Sequence, residues 1–136
     1  MRKYERKFGE ILIRTNSYKN IDIGIKLEHT LFWGHTLEVD AIGQKRKTIF
    51  VFEGKSNKPK DVVTQLLERK HSLDLFKQIY VNRGWFFGYT KIRLFFYRIK
   101  GSITERCLIE YDGKGRIIDS WNFTDMNELF EILRKL

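Results

Sequence analysis

Tyr4, Phe8, Ile11 and Leu12 recur at intervals of three and four, which predicts an amphipathic helix over residues 2 to about 14, ending near Asn16 and Ser17. Ile21, Ile23, Ile25 and Leu27 then alternate with Asp22, Gly24, Lys26 and Glu28, the period of a half-buried strand over 20–28. A further extended segment, Leu37 to Ile42, leads into the polar turn Gly43 to Lys47. The apolar run Thr48 to Glu53 follows, so these two segments are expected to pair as an antiparallel hairpin. Pro59 lacks the amide proton that a central strand would use, so the strand must stop before it. Val62, Leu66, Leu67, Leu73 and Phe76 predict one long helix reaching about Ile79, with Asp61 as its N-cap.

The second half reads mainly as sheet. Trp85 to Tyr89 and Ile92 to Ile99 are aromatic-rich and β-prone, and Arg106 to Tyr111 faces Arg116 to Phe123 across the turn Asp112 to Gly115. Asp125 and Glu128 have capping-box spacing ahead of Leu129, Phe130, Ile132 and Leu133, so a short helix should close the chain. Together these elements predict an α/β fold. A central mixed sheet of four or five strands would carry the first helix and the 61–79 helix, with a C-terminal hairpin and helix added.

Length and composition narrow the classes. The 136 residues suit one domain, and 42% apolar with 32% charged residues and a single proline is the balance of a folded chain rather than a disordered one. No apolar run approaches the roughly 18 residues of a membrane helix, and the first residues lack the apolar core of a signal peptide, so a cytoplasmic protein is expected. Cys107 is the only cysteine, which excludes an intrachain disulfide and a zinc site of several thiolates. The net charge of +9 points to an anionic partner, with nucleic acid the first candidate.

The chemistry concentrates in Glu38-Val39-Asp40 and Glu53-Gly54-Lys55, with Glu53 thirteen positions after Asp40. On neighbouring strands, Asp40 and Glu53 could share one divalent cation, and Lys55, two residues on, would share the side of the strand that carries Glu53. Phosphodiester hydrolysis needs such a cation to neutralise phosphate and activate water, and a nearby ammonium to stabilise developing charge. Taken singly, an Asp, a Glu and a Lys at a hairpin end also make an ordinary surface salt-bridge cluster.

The joint pattern of E-x-D, apolar strand, E-x-K and following helix resembles the PD-(D/E)xK nuclease superfamily, and within it the archaeal Holliday-junction resolvase-like nucleases. The resemblance spans about residues 2–80. It implies a restriction-endonuclease-like fold and a Mg²⁺-dependent DNA endonuclease in which Mn²⁺ can substitute. Asp40 and Glu53 would hold the ion, the Gly54 carbonyl would complete its shell, and Lys55 would be the catalytic lysine. Glu5 on the first helix, with Glu10 as its substitute, and Gln65 on the later helix match further family positions. Val39 stands where the family name has proline, and Gly54 replaces a bulkier apolar residue. An additional extended segment around His29 to Trp33 lengthens the stretch between Glu5 and Asp40. Branched DNA and a homodimer are implied by the resolvase resemblance alone.

Basic residues cluster beside these positions in the sequence. Arg2, Lys3, Arg6 and Lys7 open the chain, Lys45, Arg46 and Lys47 form the hairpin tip, and Lys58 and Lys60 follow Lys55. They would neutralise backbone phosphates without reading bases. His29, His35 and His71 lack the spacing of a ligand pair. The aromatics of 85–97 read first as core, and as a docking face if the chain is instead a protein-interaction module. A non-catalytic nucleic-acid-binding module with the same fold is the other alternative.

Overall fold

The structure is a computed structural model that describes residues 2–28, 36–54 and 62–136. The first helical repeat forms α1 (Lys3–Arg14), which buries Tyr4, Phe8, Ile11 and Leu12 on one face. Six strands follow: β1 (Lys19–Glu28), β2 (Thr36–Lys45), β3 (Thr48–Gly54), β4 (Lys91–Arg98), β5 (Cys107–Tyr111) and β6 (Ile117–Asn122). They lie in chain order in one mixed sheet, and every neighbouring pair is antiparallel except β3 with β4. The α/β expectation therefore holds, with six strands rather than four or five.

The parallel step needs a crossover, and two helices supply it: α2 (Val62–Leu75) and α3 (Lys77–Asn82). The expected continuous helix to Ile79 is thus broken at Phe76. Apolar spacing continues through the break, because Leu66, Leu73 and Tyr80 all stay buried on one face. What fixes the second piece is tertiary: the Tyr80 hydroxyl accepts from the Glu28 backbone N–H of β1 at 3.0 Å and contacts the Ser72 hydroxyl at 3.1 Å. The proposed N-cap Asp61, the proline at 59, and the segment around His29 to Trp33 lie outside the described residues.

Trp85 to Tyr89 is not a strand. Both edges of β3 are already taken by β2 and β4. The segment instead satisfies its backbone at Phe87 through the Gln44 side chain, which accepts from the Phe87 N–H at 2.9 Å and donates to its carbonyl at 3.1 Å. Phe86 and Tyr89 are buried and Phe87 is exposed.

α4 (Met126–Lys135) starts at Asp125, whose carboxylate accepts from the Glu128 N–H. Glu128 reaches back to Thr124 instead of Asp125, one residue further out than a capping box expects. α1 and α4 pack together on one face of the sheet, and α2 with α3 covers the other. β3 shows the consequence. Phe50 and Phe52 face the first layer and Ile49 and Val51 the second, so the strand is apolar throughout. At its end that alternation breaks into polar chemistry.

Candidate functional site

Ala41 of β2 lies opposite Phe52 of β3, which carries Asp40 to the end of β3. There its carboxylate accepts a 2.8 Å hydrogen bond from the Gly54 N–H. Glu53 continues the face of Ile49 and Val51 and is therefore turned toward α2, where it is only 3% exposed. Arg69 of α2 meets it, Nε donating to Oε1 at 2.9 Å. The same guanidinium donates to the Glu38 carbonyl at 2.7 Å and to the Gln65 carbonyl at 3.3 Å, so one cation ties α2 to the ends of β2 and β3.

From the opposite layer, the Tyr4 hydroxyl at the start of α1 donates to the Gly54 carbonyl at 3.4 Å and accepts from Arg2 at the same distance. Glu5, on the same turn, accepts from the Arg2 backbone N–H at 3.3 Å. A polar pocket of about 250 Å³ opens among these groups, lined by Arg2, Tyr4, Glu5, Glu38, Asp40, Glu53, Gly54, Gln65 and Arg69. Five of the residues selected from the sequence, Glu5, Asp40, Glu53, Gly54 and Gln65, are brought together here from three separate parts of the fold.

Burial, then the negative charge of Asp40, pushes the Glu53 carboxyl up to about 8, against the opposing pull of Arg69. Gly54 has a packing reason for its small size. A Cβ there would overlap the ring of Tyr97, its partner on β4, which is stacked on Phe8 at 3.8 Å between centroids. The Tyr97 hydroxyl is buried with no hydrogen-bond partner among the described residues, and burial followed by the charge of Asp40 raises its pKa.

The remaining sequence candidates sort by position. Lys55, Lys58 and Lys60 lie outside the described residues, as do His29 and His35. Lys45, Arg46 and Lys47 sit at the β2–β3 turn, the end of β3 away from Glu53 and roughly 17 Å along the strand. They are therefore not beside the pocket as their place in the sequence suggested. Arg2 lines the pocket, whereas Arg6 and Glu10 are exposed on α1 and do not. His71 is exposed on α2.

Arg69 is a site residue that the sequence analysis did not select; it is 9% exposed and central to the site. Its spacing of four from Gln65 was the available signal, since i and i+4 share a helix face.

Among the described residues, no group of three or more His, Cys, Asp or Glu side chains stands where it could hold a metal ion. The carboxylates of Asp40 and Glu53 and the Gly54 carbonyl, at one strand end of this lining, are hard oxygen donors of the kind Mg²⁺ or Mn²⁺ takes. Mg²⁺ commonly uses one or two carboxylates and keeps its other positions for water and phosphate, so two protein carboxylates suffice for it. Among the described residues no helix is long and apolar enough to cross a membrane. In comparisons with known proteins, no family model, no curated protein and no solved structure matches this chain.

Proposed function

We propose that this chain is a metal-dependent DNA endonuclease of the PD-(D/E)xK kind. The observation that supports the reading is the convergence of Glu5, Asp40, Glu53, Gly54 and Gln65 on one polar pocket at the end of the β2–β3 pair. In this reading Asp40, Glu53 and the Gly54 carbonyl hold Mg²⁺, or Mn²⁺ in its place. When bound, the ion would supply neutralisation of phosphate charge and acidification of water.

The chain's own groups set up that chemistry. Asp40, by accepting from the Gly54 N–H, fixes the strand end so that the Gly54 carbonyl is held beside Tyr4. Arg69 holds one oxygen of Glu53 and so orients the carboxylate without leaving it to swing in solvent. Lys55, two residues beyond Glu53, stabilises negative charge developing on the phosphate. Glu5 and Gln65 flank the pocket from opposite layers and orient water or substrate.

Cleavage of labelled single-stranded, duplex and four-way-junction DNA in Mg²⁺, Mn²⁺ or EDTA tests this. Metal-dependent cutting should fall by about 10²–10³-fold or more in Glu53→Ala and Lys55→Ala proteins that keep the wild-type circular dichroism. Preference for the junction, with paired cuts, would call for a homodimer, read by sedimentation.

One observation favours a second reading, a DNA-binding module without catalysis: Arg69 already occupies Glu53, and no third carboxylate completes a ligand group among the described residues. In that case no metal produces cutting, and Asp40→Asn leaves DNA affinity unchanged.

A further inference from the structure

A second hollow, of about 460 Å³, adjoins the acidic pocket and shares Arg2 and Tyr4 with it as a common wall. Its other lining residues are Lys3, Lys7, Ile99 and Lys100, so four of the six are cationic and none is acidic. Ile99 and Lys100 directly follow β4, whose Tyr97 pairs with Gly54. The hollow therefore lies at the same end of the sheet as Asp40 and Glu53.

Some cations of the fold are matched to carboxylates: Lys70 to Asp74, Arg83 to Glu28, Arg98 to Glu105, Arg116 to Asp112 and Arg134 to Glu131. Among the described residues Lys3, Lys7 and Lys100 form no ion pair. Three unneutralised ammonium groups around one concavity repel each other, a cost that a polyanion seated among them removes. Ammonium groups on flexible stems suit phosphates as point charges without base recognition.

We infer that this hollow seats backbone phosphates of a DNA strand, next to the phosphate that enters the acidic pocket. The placement of the cut phosphate rests on the nuclease reading, while the seat itself does not. Lys100 is the distinctive member, since it comes from the far side of the sheet's parallel step rather than from the basic first helix.

Binding of a labelled DNA duplex to the full chain in EDTA, by fluorescence anisotropy over a salt series, tests the seat apart from any cutting. Lys3→Ala, Lys7→Ala and Lys100→Ala should each weaken binding several-fold irrespective of sequence. Each should also make the slope of log affinity against log salt shallower by about 0.9. Lys19→Ala, at the opposite end of the sheet beside Gln44, should leave both unchanged. Equal losses from Lys19 and Lys100, or no effect of Lys100, would overturn the seat and leave only diffuse attraction to a basic surface. If the seat holds but no metal supports cutting, the nuclease reading fails while the phosphate seat stands.

Discussion

Glu110 with Arg93 and Glu53 with Arg69 are both buried carboxylate–guanidinium pairs, yet their surroundings differ in one decisive respect. Glu110 is held by two parallel bonds, of 2.8 and 2.7 Å, and the Arg93 guanidinium also lies 5.1 Å from the ring centres of Phe50 and Phe95. That pair is balanced, one charge against one. Glu53 has a single 2.9 Å bond from Arg69, which divides its remaining donors between two backbone carbonyls, and Asp40 adds a second negative charge. The Arg93 pair is bidentate, whereas Glu53 shares Arg69 with two backbone carbonyls and lies beside a second carboxylate, which adds to burial in raising its pKa.

The largest effect expected from this contrast is on stability. Glu110→Ala strands the Arg93 guanidinium in a mostly buried position and should cost up to about 3 kcal/mol in urea unfolding, moderated because Arg93 keeps some solvent contact. Glu53→Gln should do the reverse above pH 8, leaving stability equal to or higher than wild type, because it removes repulsion with Asp40 and keeps an acceptor for Arg69. Equal destabilisation by both would break the comparison.

A smaller effect separates packing from charge at the same strand end. Gly54→Ala should lose about 1–3 kcal/mol as the new methyl displaces the Tyr97 ring, read as a lower urea midpoint. Gly88→Ala, where nothing among the described residues lies within 4 Å, should stay within about 0.5 kcal/mol of wild type.

The same contrast sets a pH slope. A carboxyl raised from 4.5 to about 8 on folding favours the folded state in its neutral form. Its contribution is complete below pH 4.5 and is lost as pH rises from there through about 8. Glu53→Gln should flatten the stability profile over that window. Under the nuclease reading, Mg²⁺ affinity measured by calorimetry should rise over the same range, since a protonated Glu53 is a poor ligand.

Much of this arrangement was legible without coordinates. Helical spacing gave α1, strict alternation gave β1, and the paired apolar runs around Lys45 to Lys47 gave the β2–β3 hairpin, because each pattern reports which face of a local element is buried. The same logic placed Asp40 against the end of β3. It failed at Phe76, where apolar spacing ran unbroken through a helix break. It failed again at Trp85 to Tyr89, where strand propensity met a β3 already paired on both sides by β2 and β4.

Residue type and spacing by themselves determined the α/β class and most of its elements, through periods and turn chemistry that act over a few residues, and they singled out Asp40 and Glu53, while Glu5, Gly54 and Gln65 entered through the family resemblance. Only the tertiary structure decided that these five share one pocket, that Arg69 is buried among them, that Gly54 is small because Tyr97 fills its space, and that Lys45 to Lys47 stand at the other end of the sheet. Each of those depends on which distant segment occupies a neighbouring position, and the parallel step from β3 to β4, bridged by two helices, sets that over more than thirty residues of chain.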